Sequence, residues 1–335
     1  MFRIEALLLK YEQKIDFVIT WVDGNDEEWK KERAFYLSDT GDIRSVRYRD
    51  WNLLRYWFRG VEKFAPWINK IHFVTCGHLP KWLNTKHPKL NVVNHKDFIP
   101  DKYLPTFNSH TIELNLHRIK GLQNQFVYFN DDVFLINKVN PEDFFQNGLP
   151  CDTGVLGCVC PQDDFVSNVI FNNIVIINKY FQKTDFTVKN YKYAFNLRYG
   201  KYLLRTILLY PFGKHTGFYD FHLHLSFKKD TFEKLWDKES QVLDSTCKHK
   251  FRTSNDVSPW LFRYWQLASC NFVPYNVIGK YFALGNLKLI EYIREKRGKV
   301  ICCNDVDECV EFDVWQNKLV QAFDGILPDK SSFEK

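Results

Sequence analysis

The length, composition and charge of the chain exclude several classes of protein. Its 335 residues are 45% hydrophobic and 26% charged, which is enough for a large core and excludes wholesale disorder. Lys and Arg number 46 against 40 Asp and Glu, and this mildly basic balance of +6 does not indicate a nucleic-acid partner. No apolar run is long enough for a signal peptide or a membrane span, so we expect neither secretion nor insertion.

The nine cysteines indicate reduced thiols rather than a disulfide framework. Their number is odd, and Cys302 and Cys303 are adjacent. Cys158 and Cys160, with Cys151 upstream, could form half of a zinc site, but no Cys or His pair at ligand spacing stands nearby. We therefore expect buried, reduced cysteines.

Strands alternate with amphipathic helices in the first half of the chain. Apolar, β-branched runs predict strands at 15–21, 71–75, 90–93 and 126–129. Helices are predicted at 50–64, with Asp50 as its N-cap, and at 109–119. This alternation predicts an α/β fold with a mostly parallel sheet flanked by helices.

The second half is less regular. We predict a strand at 174–177, helices within 180–209, two helices at 230–238 and 256–268, and a closing helix at 305–323. The region 148–214 is expected to be an inserted or accessory, mainly helical subdomain.

The strongest candidate site is Asn130-Asp131-Asp132, which directly follows the strand at 126–129. Ligands of open α/β sheets bind at the carboxyl ends of the strands. Two adjacent carboxylates repel each other unless a cation lies between them, and oxygen ligands suit Mg²⁺ or Mn²⁺. A solvated turn is the alternative, but the buried strand favours the metal site.

A second acidic motif follows the strand at 15–21. Asp23 would lie at the same edge of the sheet as Asp131 if the two strands are parallel. Gly24 would let the backbone approach a ligand closely. The alternative is a turn in which Asp26 caps the next helix.

Several arginines are candidates for binding phosphate. Arg47, Arg49 and Arg55 are close in sequence, and guanidinium groups bind phosphate oxygens bidentately. Arg252 and Asp256 flank the start of the helix predicted at 256–268, where anions bind well. The alternatives are solvated arginines on a helix surface and Asp256 as a simple helix cap.

Histidines near these motifs are candidate general bases. His222 and His224 alternate on a strand-like stretch, so they would face the same side. In the helix predicted at 109–119, Glu113 shares a face with His110 and with His117. Such pairs fit base catalysis or a structural hydrogen bond, and for His117 the structural role is favoured.

Taken together, these motifs resemble the Stealth family of sugar-1-phosphate transferases. The resemblance covers four regions in order, at 15–29, 47–135, 216–236 and 251–269. It implies a GT-A-like, Rossmann-type catalytic core that uses a UDP-sugar and Mg²⁺ or Mn²⁺. The expected reaction transfers a hexose-1-phosphate or N-acetylhexosamine-1-phosphate to a sugar hydroxyl and releases UMP. A GT-A glycosyltransferase that releases UDP is the alternative, and a carbohydrate-binding protein without turnover is a third reading.

The resemblance also implies roles for individual residues. Asp131 and Asp132 would bind the metal. The catalytic residues would be His222, Asp132, Arg252, Asp256 and Asp23. The substrate-binding residues would be Asp23, Arg49, Asn52, Asn108, Ser109, Glu113, Asn130, Lys228 and Arg252. His222 and His224 remain alternatives for the general base.

The resemblance further implies a division of the chain and a set of partners. Residues 1–147 would bind the nucleotide-sugar and the metal, and 215–335 would complete the catalytic core around the inserted region. The acceptor would be a saccharide or a lipid-linked oligosaccharide in capsule synthesis. We therefore expect a cytoplasmic protein with peripheral contact at the inner face of the membrane and no nucleic-acid partner.

Overall fold

A computed structural model describes residues 14–37, 49–160, 162, 165–305 and 311–335. Its central sheet has five strands in the order β3–β2–β1–β4–β8, of which the first four are parallel and β8 is antiparallel to β4. These strands are β1 Ile15–Thr20, β2 Ile71–Thr75, β3 Leu90–Asn94, β4 Gln125–Phe129 and β8 Leu225–Lys228.

Two smaller sheets lie beside the central one. The first has the order β10–β11–β5, and the second has the order β6–β7–β9. Their strands are β5 Val133–Leu135, β6 Phe145–Gln146, β7 Leu149–Asp152, β9 Val273–Pro274, β10 Gly279–Ala283 and β11 Val300–Asn304.

Helices cover both faces of the central sheet. They are α1 Glu27–Tyr36, α2 Leu54–Phe64, α3 Ser109–Leu114, α4 Phe165–Tyr180, α5 Tyr191–Ala194, α6 Leu203–Leu209, α7 Lys229–Lys238, α8 Ser240–Lys248, α9 Trp260–Ala268, α10 Leu287–Arg294 and α11 Phe312–Ile326. Helices α2, α10 and α11 pack on one face, and α3, α4 and α7–α9 pack on the other.

Successive side chains along β1 and β4 point to opposite faces of the central sheet, so each strand contributes to the core on both faces. Phe17 and Phe129 point into one core, whereas Val18 and Phe126 point into the other, and all four are fully buried. Burying a side chain of this size stabilises the fold by about 1.5–3 kcal/mol. The predicted α/β class, with a mostly parallel sheet flanked by helices, is therefore confirmed.

Three predicted elements differ from the structure. The apolar run at 174–177 is not a strand but part of α4, since a short apolar run alone cannot distinguish a buried strand from a buried helix. Helix α2 begins at Leu54 rather than at residue 50, because Asp50 accepts a hydrogen bond from the backbone N–H of Asn52, whose φ of 55° is not helical. Helix α9 begins at Trp260, after Pro259, so Asp256 is not its cap.

Two further predictions shift in their bounds. The helix predicted at 109–119 ends at Leu114 and is followed by a 3₁₀ turn, Leu116–Arg118. The closing helix begins at Phe312 rather than at 305: β11 ends at Asn304, Asp305 is not helical, and residues 306–310 lie outside the described part of the chain. Between β7 and β8 the chain is mainly helical, through α4, α5 and α6. Among the described residues, no helix is both long and apolar enough to cross a membrane.

Candidate active site

The carboxyl ends of β1 and β4 open into a cleft that contains about 1630 Å³ of empty space, including its mouth. These strands are parallel neighbours, with Ile19 opposite Phe129, so the residues that follow them share one edge of the sheet. Asn130, Asp131 and Asp132 line this cleft. The cleft thus lies where the sequence predicted a ligand site.

The surroundings of Asp131 disfavour a negative charge on its carboxylate. Burial raises the pKa of Asp131 to about 7, and the charges of Asp132 and Asp50 add to this increase. By surface area, however, Asp131 is exposed at the mouth of the cleft, so water moderates this increase. Oδ1 of Asp132 is buried and has no hydrogen-bond partner in the described part of the chain. A cation bound beside Asp131 and Asp132 would compensate their negative charges.

His222 reaches the same carboxylates from the segment that leads into β8. Strand β8 is antiparallel to β4, with Leu225 opposite Tyr128, so the residues before β8 meet those after β4. Nε2 of His222 lies 3.8 Å from Oδ2 of Asp132, and the side chain is 40% exposed. His222 has a φ of 51°, a left-handed conformation that is uncommon for a residue with a Cβ atom.

Cys302 completes a group of three potential ligands with Asp132 and His222, whose ligand atoms lie within 4.8 Å of one another. Its thiol donates a hydrogen bond to Oδ2 of Asp132 at 3.3 Å. Burial raises the pKa of Cys302 well above its ordinary value, and the negative charge of Asp132 adds to the increase. The thiol therefore stays protonated and acts as a hydrogen-bond donor to the carboxylate.

Arginines line the cleft at two positions. Arg252 donates a hydrogen bond to Oγ of Ser109, the first residue of α3. Nη1 of Arg49 lies 3.4 Å from Oδ2 of Asp305, which also accepts a hydrogen bond from Nε1 of Trp51 at 3.0 Å. Both guanidinium groups border the cleft near Asp131 and Asp132, so they can contact an anionic ligand there.

Asp256 lies beneath this surface and is fully buried. Its carboxylate accepts hydrogen bonds from Nδ2 of Asn108 at 2.9 Å, from Nδ1 of His249 at 2.6 Å and from the backbone N–H of Thr253 at 3.0 Å. Burial acts to raise the pKa of Asp256, but hydrogen bonds from His110 and Thr253 outweigh it and lower the pKa. Asp256 therefore ties the Arg252 loop to α3 rather than lining the cleft.

Asn108 is also fully buried, and both ends of its side-chain amide are engaged. Its Oδ1 caps α3 by accepting from the backbone N–H of His110, while its Nδ2 donates to Asp256. Like Asp256, Asn108 lies beneath the cleft and positions the residues that line it.

Glu113 lines the cleft and is held there by a short chain of hydrogen bonds. The hydroxyl of Tyr128 donates to Oε1 of Glu113 at 3.0 Å and lies 3.0 Å from Oγ1 of Thr20. Glu113 therefore does not pair with His117, whose ring lies against Phe232. Burial lowers the pKa of His117 to about 3, which keeps it neutral and fits the structural role favoured above.

Besides Asp256 and Asn108, three further predicted site residues do not line the cleft. Lys228 lies at the opposite edge of the sheet, because antiparallel pairing sets it against Gln125, the first residue of β4. Asn52 is exposed in the turn before α2. The backbone N–H of Asp23 donates to Nε2 of His78 at 2.6 Å, and its carboxylate lies near enough to Asp50 to raise the pKa of that residue further, after burial.

Of the other arginines predicted to bind phosphate, Arg55 lies away from the cleft. Arg55 lies with its guanidinium 5.5 Å from the centre of the Trp82 ring, not in the cleft. Arg47 lies outside the described residues.

The two alternative histidines have different environments. The ring of His224 lies 4.9 Å from that of Phe144 and 5.9 Å from that of Phe129, and burial lowers its pKa to about 4. His222 instead faces the cleft. The geometry therefore favours His222 as the residue that meets a ligand.

A second pocket of about 880 Å³ adjoins the cleft. It shares Glu113, Asn130, His222 and Arg252 with the cleft, and its remaining lining is mostly apolar, from α4 and from the start of α9. His222 thus stands between two cavities, which suits a reaction between two substrates.

The sequence reasoning missed Cys302, whose buried thiol meets Asp132 from β11, and Asp305, which lines the cleft directly after that strand. This strand pairs antiparallel with β5, which sets Cys302 against Val133, the residue after Asp132. The apolar run at 300–303 could have predicted the strand. No residue pattern near 300–303 indicates that this strand pairs with β5.

Comparison with known proteins identifies conserved regions of a single family in this chain. Residues 13–41 match Stealth protein conserved region 1, and residues 47–151 match Stealth protein conserved region 2. The second match contains Asn130, Asp131 and Asp132.

Similar solved structures are glycosyltransferases. The galactosyltransferase LgtC shares 10% identity at a TM-score of 0.37, covering 91% of this chain and 95% of that one. Mouse xyloside xylosyltransferase 1 shares 10% identity at a TM-score of 0.34, covering 87% of this chain and 98% of that one. At these scores the likeness carries no argument about this chain.

Similar sequences cover almost the whole chain. The capsular polysaccharide phosphotransferase WcwK of Streptococcus pneumoniae is 43% identical over 98% of this chain and all of its own length. The exopolysaccharide phosphotransferase cps2G of Lactiplantibacillus plantarum is 41% identical over 96% of both chains. The receptor polysaccharide phosphotransferase WefC of Streptococcus gordonii is 38% identical over 96% of this chain and 99% of its own. On this evidence the chain belongs to the Stealth family.

Proposed function

We propose that this protein is a polysaccharide phosphotransferase. It transfers a hexose-1-phosphate or N-acetylhexosamine-1-phosphate from a UDP-sugar to a sugar hydroxyl in a capsular or other surface polysaccharide, and releases UMP. The observation that carries the proposal is the placement of His222 beside Asp132, between the cleft and the second pocket. The full-length similarity to polysaccharide phosphotransferases supports it.

In the proposed reaction, His222 acts as the general base. It takes the proton of the acceptor hydroxyl, and the acceptor oxygen forms a bond to the β-phosphorus of the donor. The bond between the β-phosphorus and the bridging oxygen breaks, and UMP leaves with that oxygen. The bond between C1 of the sugar and its oxygen stays intact, so the anomeric configuration of the donor is retained.

Arg252 and Arg49 bind the phosphoryl oxygens in this proposal. Both line the cleft, and phosphoryl transfer depends mostly on positioning and charge neutralisation. Ser109 accepts a hydrogen bond from Arg252, and Asn108 and Asp256 hold the elements on which these two residues lie. Asn108 and Asp256 are thus positioning residues.

Asp131 and Asp132 fit a divalent cation, Mg²⁺ or Mn²⁺. The buried Oδ1 of Asp132 has no partner among the described residues, and the pKa of Asp131 is raised by burial and by Asp132, as expected where a cation would relieve the repulsion. When bound there, such an ion would neutralise charge on the donor diphosphate. Cys302, a protonated thiol, acts as a donor to Asp132 rather than as a ligand.

The second pocket is the acceptor site in this proposal. It combines the polar groups that it shares with the cleft and the indole of Trp260, whose ring centre lies 6.0 Å from that of His222. Aromatic rings suit the apolar faces of sugars. Residues 1–147 would then supply the donor and metal groups, and 215–335 would supply His222, Arg252 and Trp260. The acceptor is a saccharide, free or carried on a lipid.

The test is to identify the nucleotide product. The protein is incubated with UDP-N-acetylglucosamine, UDP-glucose or UDP-galactose, Mg²⁺ and capsule-derived oligosaccharides, with and without EDTA. Acceptor-dependent formation of UMP that EDTA abolishes supports the proposal. Acceptor-dependent formation of UDP would instead make the protein a glycosyltransferase.

A further inference from the structure

An exposed apolar surface surrounds α6, on the helical stretch between β7 and β8. Its side chains are 47–87% exposed, although residues of these types are usually buried. We define this apolar surface as Leu197, Leu204, Ile207, Leu208, Tyr210 and Phe212. Contiguous exposed apolar side chains on a folded protein mark a site of interaction.

Helix α6 is amphipathic in the reverse of the usual sense. Leu204, Ile207 and Leu208 have the spacing of one helix face, and they are 58%, 52% and 66% exposed. Thr206 is fully buried, and its hydroxyl oxygen accepts a hydrogen bond from the backbone N–H of Leu156 at 3.1 Å. Thr206 and the half-buried Leu209 thus face the protein, whereas Leu204, Ile207 and Leu208 face outward together with Arg205.

The apolar surface is held in place from below. The Lys183 side chain is buried, and its ammonium donates to the backbone carbonyls of Leu209, Tyr210 and Phe212 at the end of α6. The rings of Tyr210 and Phe195 also lie 5.7 Å apart in an edge-to-face contact. A buried lysine that fixes these carbonyls indicates a built feature of the fold rather than a frayed helix.

The positive charge of the protein is concentrated around the same surface. Residues 186–219 contain six Lys and Arg and no Asp or Glu. The remaining chain therefore has 46 − 6 = 40 basic and 40 − 0 = 40 acidic residues, which cancel. The six are Lys189, Lys192, Arg198, Lys201, Arg205 and Lys214, and all are exposed. Lys189 is paired with Asp185 at 2.7 Å, which leaves five of the six cations without an acidic residue in this stretch.

We propose that the apolar surface and the basic residues around it bind the surface of a membrane that contains anionic lipids. Apolar side chains enter the boundary between headgroups and acyl chains, while Lys and Arg attract anionic headgroups. A second copy of this chain is the less favourable occupant, because it would bring two sets of like charges together.

The position of this surface also bears on the acceptor. Helix α4, which opens the same helical stretch, lines the second pocket through Val166 and Val169, and Val166 is itself 46% exposed. If the proposed function holds, a lipid-linked acceptor would reach His222 through the second pocket, beside α4.

The test is binding to lipid vesicles without any donor, so its result is independent of the proposed reaction. The full chain is sedimented with vesicles of phosphatidylcholine alone and of phosphatidylcholine mixed with phosphatidylglycerol. We expect binding to the mixed vesicles that weakens with salt and is much weaker with phosphatidylcholine alone. Absence of binding to the mixed vesicles would overturn the proposal.

Two pairs of substitutions locate the surface. Leu204→Ser with Leu208→Ser should lower the partition constant at least about tenfold. Lys201→Ala with Lys214→Ala should lower it about fivefold for each lysine. The matched controls are Leu287→Ser with Val314→Ser, which are 68% and 44% exposed elsewhere, and Lys86→Ala with Lys96→Ala.

The controls should bind as the unchanged protein does, and all variants should keep its thermal unfolding midpoint. Equal losses in the control pairs would overturn the proposal. So would a dimer in light scattering that Leu204→Ser with Leu208→Ser converts to a monomer, since the apolar surface would then be an interface between two copies.

Discussion

Nε2 of His222 lies 3.8 Å from Oδ2 of Asp132, although the two residues come from distant parts of the chain. The antiparallel pairing of β8 with β4 brings the segment before one strand to the segment after the other. The carboxylate can orient the imidazole and stabilise its positive charge after proton transfer. This relationship is the basis for the assignment of His222 as the base.

Replacing His222 should separate turnover from donor binding. We expect His222→Ala to lower kcat by about a hundredfold to ten-thousandfold, because a positioned general base contributes that much, and to change donor affinity little. Steady-state kinetics and titration calorimetry with the UDP-sugar measure the two quantities. His224→Leu is the control and should keep kcat within a few-fold. The assignment fails if His224→Leu loses turnover and His222→Ala keeps it.

Replacing Asp132 should remove metal binding as well as activity. Asp132→Asn keeps the size of the side chain but removes the charge that a divalent cation requires. We expect weaker binding of Mn²⁺, followed by electron paramagnetic resonance, and loss of turnover. Asp237→Asn changes an exposed carboxylate on α7 and should leave both unchanged. Unaltered Mn²⁺ affinity in Asp132→Asn would contradict the proposed metal site.

Arg263 holds the segment that carries His222. This buried side chain on α9 donates to Asp152 at 2.8 and 2.9 Å and to Asp220 at 2.6 Å, two residues before His222. Arg263→Met leaves two carboxylates without their cation, which should lower the free energy of unfolding by about 3–5 kcal/mol. Urea unfolding measures this change.

A matched variant separates lost charge pairing from lost packing. Adding Asp152→Asn and Asp220→Asn to Arg263→Met removes the unpaired charges and should recover part of the stability. If the triple variant is no more stable than Arg263→Met, the carboxylates are not the cause.

Stability should fall as the pH drops below about 6.5, because buried histidines resist protonation in the folded state. Burial lowers the pKa of His117 to about 3, so between that value and 6.5 the unfolded chain binds the proton and the folded chain does not. The stability that this residue contributes is therefore complete above pH 6.5 and declines toward lower pH. One such proton changes the free energy of unfolding by about 1.4 kcal/mol per pH unit.

His117→Leu should remove this part of the slope. Urea unfolding of both proteins from pH 7.5 to pH 5 is expected to show a shallower pH dependence for the variant, as roughly one proton fewer is taken up on unfolding. Above pH 7 the difference between them should be constant. Identical slopes below pH 6.5 would show that His117 is protonated in the folded protein.

The sequence predicted those parts of the site that depend on a single strand. A buried strand that ends in Asn130-Asp131-Asp132 places these residues at the ligand-binding edge, whatever surrounds them. Residues that depend on pairing between distant strands were not predictable. Lys228 lies at the far edge because β8 runs antiparallel, and Cys302 reaches Asp132 only because β11 pairs with β5.

Burial likewise could not be predicted from the sequence. Asp256 and Asn108 carry groups that are typical of ligand contacts, yet they bond to each other at 2.9 Å beneath the cleft. Polar side chains also form hydrogen bonds inside a fold, and a single sequence does not distinguish this use from ligand binding.

The measurement that tests the central claim most directly follows the β-phosphorus of the donor. A UDP-sugar radiolabelled at that atom is incubated with the protein, Mg²⁺ and a capsule-derived acceptor, and the acceptor is then separated from the nucleotides. The account predicts that the label moves to the acceptor and that His222→Ala slows its appearance. Label that stays in UDP while the sugar moves to the acceptor would show cleavage at C1 and contradict the account.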